Sequence, residues 1–174
     1  MVRTLRRPDH QHRRHDHQRR PAGQSGDPLR YVEVVCTGNI CRSPIGEVVL
    51  RSKLAEAGID DVIVTSSGTG GWHEGDPMDP RAAAALHRRG YDGSSHRARA
   101  FDRTWFDDRH LVLAMDTGHL AALNHQARGR TDVPIELFAE TDVPDPYYGA
   151  DAGFDEVLHQ IETAADHWVD RLRT

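Results

Sequence analysis

The stretch from Tyr31 to Pro44 constrains this chain more than any other. An apolar run, Tyr31-Val32-Glu33-Val34-Val35, leads straight into Cys36-Thr37-Gly38-Asn39-Ile40-Cys41-Arg42-Ser43-Pro44, and a strongly helical segment follows. Strand, tight loop and helix in succession commit a chain to a sheet covered by helices. Cys36 falls at the strand's carboxyl end, where open α/β sheets hold their ligands. Ser43 suits a helix N-cap and Pro44 a first helical residue, whose missing N–H would have no partner there. The helix then begins with its free N–H groups and positive dipole end aimed back over the loop. Such a loop cradles an anion without metal or lysine. The same field favours the thiolate of Cys36, its reactive form.

The rest of the chain alternates in the same way. Helical spacing over 45–57, with Val48, Val49 and Leu54 inward, stops at Gly58. A short buried strand is expected over 62–65, then a glycine-rich loop over 68–77 that carries Trp72. Residues 79–89 read as a helix with Asp79 as N-cap, Pro80 first and Gly90 as the stop. Strands over 110–115 and 133–138 flank a helix over 117–126. A long closing helix spans 152–172, with Phe154, Val157, Leu158, Ile161, Ala165, Trp168 and Leu172 near helical spacing. Strands alternating with helices predict a parallel sheet covered on both faces. No repeat and no dinucleotide or Walker-type glycine pattern is present.

The nine residues from Cys36 to Pro44 resemble the signature of the low-molecular-weight protein tyrosine phosphatases. Asp145-Pro146-Tyr147-Tyr148-Gly149 resembles that family's general-acid loop, at the family's distance downstream. Between them Ser66-Ser67-Gly68-Thr69, Trp72-His73, Asp79-Pro80-Arg81-Ala82, Ser95-His96-Arg97-Ala98-Arg99 and Leu113-Ala114-Met115-Asp116 keep the family's order. The resemblance runs from Leu29 to the C-terminus. It implies a three-layer, doubly wound α/β fold with a four-stranded parallel sheet of order 2-1-3-4, an order that spacing cannot supply.

The resemblance also assigns roles, and local chemistry agrees with them. Cys36 would attack phosphorus and become a phosphocysteine, splitting one hard step into two. Arg42 offers a planar fork that can bond two phosphate oxygens. Thr37, Gly38, Asn39, Ile40, Cys41, Arg42 and Ser43 would cradle the phosphate, with Gly38 letting the backbone curl and Ser43 steadying the thiolate. Asp145, stiffened by Pro146, would protonate the departing tyrosine oxygen and later activate water. Trp72, Tyr147 and Tyr148 would line a slot for a phenyl ring. Family precedent places Asn39 in a left-handed conformation held by side-chain bonds to Ser66 and His96, and pairs Cys36 with Cys41 in a reversible, protective disulfide. Asp116, at a strand end, is expected to be structural. No cofactor or metal is implied, and the expected substrates are tyrosine-phosphorylated proteins.

Rival functions leave their own marks. An arsenate reductase on this cradle relays a disulfide through further cysteines, whereas Cys36 and Cys41 are the only two here. Arginine phosphatases of the family tend to carry threonine where this chain has Ile40. A silent phosphotyrosine-binding module would lack Cys36, Arg42 or Asp145. A zinc module would have to join Cys36 and Cys41, which belong to one tight anion loop, to the histidines of the leading stretch, which offer no fixed ligand geometry.

At 174 residues the chain suits one domain. Two cysteines exclude a disulfide scaffold, no run approaches the ~20 apolar residues of a membrane span, and no signal-peptide core is evident. A cytoplasmic monomer that binds neither nucleic acid nor membrane is the expectation. Lys53 is the only lysine among 22 basic residues, a bias of GC-rich, actinobacterial coding. Residues 1–30 carry eight arginines against three aspartates, a balance of +5, which leaves −10 on the remainder to give the formal −5. With His10, His12, His15 and His17 and little that is apolar, residues 1–28 read as a disordered extension ahead of a domain over 29–174.

Overall fold

The computed structural model describes residues 28–173. The reading of residues 1–28 as an extension therefore lies, apart from Pro28, outside the described residues. Strand β1 (Arg30–Cys36) runs into helix α1 (Arg42–Glu56), followed by β2 (Val62–Gly68), α2 (Pro80–Arg88), a short 3-10 turn (Arg103–Asp107), β3 (Leu111–Ala114), α3 (Thr117–Ala127), β4 (Ile135–Leu137) and α4 (Ala152–Leu172). The four strands are all parallel, in the order β2-β1-β3-β4. Helices α1, α2 and α4 pack together on one face and α3 with the 3-10 turn on the other. The expected three-layer fold is the observed one.

Several boundaries differ, each for a local reason. β2 continues to Gly68, three residues beyond the apolar run, because its hydroxyls find carboxylate acceptors. Thr65 and Ser67 donate to Glu33 (2.5 and 2.7 Å), and Ser66 donates to Glu47 (3.0 Å). Glu33 itself is fully buried mid-strand, and its charge is met by Arg109 Nε at 2.8 Å, as an interior carboxylate requires. Ser43 is not the N-cap of α1. That position falls to Cys41, with no side-chain cap, so Pro44 sits in the third helical place rather than the first. The first helical bond runs from Ile45 N to Cys41 O, which leaves the N–H groups of Arg42 and Ser43 facing the loop. Asp79 does cap α2, accepting from Arg81 N. Gly46 lets α1 settle on the sheet: a Cβ there would lie 2.5 Å from Met115 Cε and 3.1 Å from Val34 Cγ1.

Candidate active site

The loop between β1 and α1 closes around Asn39. This residue has φ 58°, a left-handed conformation that asparagine tolerates better than most. Its side chain is fully used: Nδ2 donates to Ser43 Oγ (2.8 Å) and Ser66 Oγ (3.0 Å), and Oδ1 accepts from Arg99 N (3.0 Å). His96 supports the loop differently from expectation, because its Nε2 bonds the main-chain carbonyl of Asn39 at 2.7 Å, not the side chain. Burial lowers the His96 pKa, against the pull of that carbonyl bond, and so favours the neutral ring. Gly38 is not the turning residue, since its φ is not positive. It makes room instead: a Cβ there would come within 2.9 Å of the His73 ring.

At the floor, Cys36 Sγ lies 2.9 Å from Ser43 Oγ. That hydroxyl already accepts from Asn39, so its own proton is available to the sulfur or to Ser67 O at 3.2 Å. Cys41 is buried in the core beside the loop. Burial first, then the charge of Asp79, pushes its thiol pKa far above the ordinary value and holds it neutral.

Arg42 is buried as well, and its fork is partly committed. Nη1 donates to Asp116 Oδ2 (2.8 Å) and to Val143 O (3.0 Å). Nη2 lies between Thr37 Oγ1 (3.3 Å) and Asp145 Oδ2 (3.7 Å). Asp116 also caps α3, taking the N–H of His119. Burial acts to raise its pKa, but that N–H and Arg42 outweigh it and hold the carboxyl below the ordinary range.

Asp145 stands at the rim, its Oδ1 accepting from Tyr147 N at 3.1 Å. Arg81 braces the acid loop from below, reaching Tyr147 O (3.0 Å) and lying over the rings of Tyr147 and Phe154. Tyr147 and Tyr148 meet edge to face at 4.9 Å. Trp72 folds over Gly70, where a Cβ would lie 1.7 Å from the indole. Trp72 and Tyr148 are 75% and 89% exposed, so they form free-standing rims and not packed walls. Together with Ile40 and His73 these residues enclose a cavity of about 260 Å³ over Cys36 and Arg42.

Sequence reading missed His73, Arg81, Arg99, His119 and the Thr37 side chain. His73, Arg81 and Arg99 stand in the motifs named above with no role read for them, and the local signal for His119 was its place three residues after Asp116 at a helix start, where an N-cap reaches. A larger groove of 530 Å³ between β4 and α4 holds no cysteine. Among the described residues, no group of three or more His, Cys, Asp or Glu side chains converges as metal ligands would. No helix there is long and apolar enough to cross a membrane.

The chain matches the family model described as low molecular weight phosphotyrosine protein phosphatase over residues 31–174. It is 45% identical over 142 residues to the low molecular weight protein-tyrosine-phosphatase of Streptomyces coelicolor, covering 75% of this chain and 86% of that one. It superposes on the crystal structure of YfkJ from Bacillus subtilis with a TM-score of 0.78 at 30% identity, covering 86% and 98% of the two chains. DARP, a Drosophila arginine phosphatase, superposes with a TM-score of 0.77 at 26% identity, covering 82% and 98%. With a family match over residues 31–174 and a 45%-identical Streptomyces relative, this chain belongs to the low-molecular-weight phosphotyrosine protein phosphatases, a family of phosphoric monoester hydrolases.

Proposed function

We propose that this chain hydrolyses phosphotyrosine and related aryl phosphate monoesters through a phosphocysteine intermediate. One observation carries the reading: a single cavity unites Cys36 beside Ser43, an Arg42 anchored from behind, and Asp145 3.7 Å from the same guanidinium. In the first step the Cys36 thiolate attacks phosphorus. An S–P bond forms, the ester P–O bond breaks, and the tyrosine oxygen takes the proton of Asp145. In the second step the Asp145 carboxylate takes a proton from water, whose oxygen attacks phosphorus. The S–P bond breaks, sulfur leaves as thiolate with the Ser43 hydroxyl donating to it, and phosphate is released.

The chemistry asks mainly for charge stabilisation on the transferring oxygens, which the loop N–H groups and Arg42 supply. Phenolate leaves with a pKa of about 10, so protonation by Asp145 lowers the barrier. Tyrosine-phosphorylated proteins are the proposed substrates, with the ring between Trp72, Tyr147 and Tyr148. A shorter phosphoserine would not bring its phosphorus to a sulfur at the cavity floor.

Arginine phosphatase activity is the second reading, favoured by the similarity to the Drosophila structure. Ile40 argues against it. This side chain lines the cavity and packs on the core, narrowing the slot for a flat aromatic ester. Assay on phosphotyrosine, phosphoserine and phosphoarginine peptides separates the readings: turnover confined to phosphotyrosine is expected, and preference for phosphoarginine would replace the first reading with the second. Cys36→Ser should fall below about a hundredth of wild-type turnover while still binding vanadate, because the loop and Arg42 remain. Retained turnover would end the phosphocysteine mechanism.

A further inference from the structure

Behind the loop, four side chains form a nearly closed circuit, of which the steps above give a role to Arg42 alone. Arg42 Nη1 donates to Asp116 Oδ2, Asp116 Oδ1 takes the main-chain N–H of His119 (2.9 Å), His119 Nε2 lies 2.8 Å from Thr37 Oγ1, and Thr37 Oγ1 accepts from Arg42 Nη2. His119 is buried, while Thr37 is exposed at the cavity wall. One atom breaks the circuit. His119 Nδ1 is buried 3.1 Å from Asp116 Oδ1, but off the line that a hydrogen bond needs.

We propose that His119 is a positioning residue for phosphoryl transfer, accepting the Thr37 hydroxyl proton at Nε2 and so fixing Thr37 Oγ1 against the Nη2 edge of Arg42. The inference rests on the phosphatase reading above. The tautomer follows from electrostatics. A bare Nδ1 lone pair 3.1 Å from a carboxylate oxygen is repelled, whereas an N–H is attracted even when misaligned. The single proton of a neutral ring therefore sits on Nδ1, and Nε2 is left as an acceptor. Burial, then the charge of Arg42, lowers the pKa of His119 and opposes a second proton, although Asp116, Asp145 and Asp142 pull the other way.

The consequence lies in Arg42. Asp116 and Val143 grip only Nη1, and two acceptors on one nitrogen leave the guanidinium free to rock about that end. Thr37 grips the other nitrogen, but a threonine hydroxyl at an exposed wall keeps its rotamer only if its proton is tied down. His119 ties it. Small misplacements of a charge-stabilising group are expensive in rate, so the contribution should appear in kcat.

The test compares Thr37→Val, Thr37→Ser, His119→Phe and the Thr37→Val/His119→Phe double variant of the full chain. Each is assayed on a phosphotyrosine peptide and on nitrophenyl phosphate, with inhibition by vanadate and by inorganic phosphate. Thr37→Val and His119→Phe should each lower kcat about tenfold with KM changed less than about twofold. The loss should be equal on both substrates, because it arises at the phosphoryl group and not at the leaving oxygen. Vanadate, which mimics the five-coordinate transition state, should bind about tenfold more weakly, with phosphate unchanged. The double variant should be no worse than either single, and Thr37→Ser should restore wild-type behaviour. Additive losses, or wild-type kcat in Thr37→Val, overturn the inference. If His119→Phe fails to fold, Thr37→Val against Thr37→Ser still decides, because Thr37 is exposed. A wild type inert on both substrates would sink the phosphatase reading itself, a different result from an active enzyme indifferent to Thr37→Val.

Discussion

Arg42 is only 4% exposed, and a guanidinium placed so deep must have its charge met nearby. Asp116 does this at 2.8 Å, which leaves Asp145 at 3.7 Å only loosely held by the same group and partly open to solvent. Under the proposed mechanism, this division would let Asp145 exchange a proton without disturbing Arg42. If it is the general acid, Asp145→Ala should hurt substrates in proportion to how poorly their leaving group departs. Turnover of phosphotyrosine should fall about a hundredfold to ten-thousandfold, that of an activated nitrophenyl ester clearly less. Equal losses on both substrates would mean that another group supplies the proton. At this scale the sequence was partly transparent. Cys36, Arg42, Asp145 and Asp116 all stand in motifs, but Asp116 and His119 reach Arg42 and Thr37 from 74 and 82 residues away, across two strands. Nothing in local pattern marks such contacts.

The elements were easier to read than their ends. Apolar runs found all four strands and helical spacing found all four helices, although β4 is only partly buried. Their limits moved where polar atoms decide: β2 lengthens because the buried Glu33 and the partly buried Glu47 receive its hydroxyls, and α1 starts early because Ser43 turns to Cys36 and does not cap. The 3-10 turn has only the Asp102 side chain capping Thr104 N as its signal. Two predictions belong here. Gly46→Val should destabilise the fold by roughly 1–3 kcal/mol or more, since its side chain would enter space held by Met115 and Val34. A denaturant midpoint equal to wild type would show that α1 can lift off the sheet at little cost. The second concerns the loop's thiols. Peroxide would oxidise Cys36 to a sulfenic acid, which Cys41 can attack to form a disulfide with loss of water. Because burial keeps the Cys41 thiol neutral, this closure should quicken as pH rises, and Cys41→Ser should drift to irreversible loss. Mass spectrometry showing sulfinic Cys36 and no disulfide in the wild type would remove that role from Cys41.

For the molecule as a whole, the family match begins at residue 31 and β1 at Arg30, and we propose that the domain needs nothing before residue 29. Deleting residues 1–28 should leave small-substrate kinetics and melting temperature nearly unchanged, because that stretch offers little apolar surface to bury; a large drop in either would place the boundary elsewhere. Stability should depend on acidity in two stages. His96 and His119 both bind protons less readily folded than unfolded, chiefly because burial disfavours the charged ring. The unfolded chain therefore takes up protons first as pH falls below the ordinary value of 6.5, and stability declines from there until the folded histidines also titrate. Asp79 and Asp116 follow at lower pH. Burial works to raise both, but Arg81 outweighs it at Asp79, and the His119 N–H and Arg42 outweigh it at Asp116, so the folded carboxyls hold their charge below the ordinary 3.8. The stability they confer is complete above that value and vanishes as pH falls through the folded one. Urea titrations from pH 8 to pH 3 should thus show a decline beginning near neutrality and a second, steeper one in the carboxylate range. Asp79→Asn should flatten the second stage while costing about 1 kcal/mol or less at neutral pH, since asparagine still caps α2. His96→Asn should flatten the first. If stability stayed level between pH 7 and pH 5, the loop that carries Cys36 would not be leaning on neutral histidines, and their place against Asn39 and Thr37 would be packing alone.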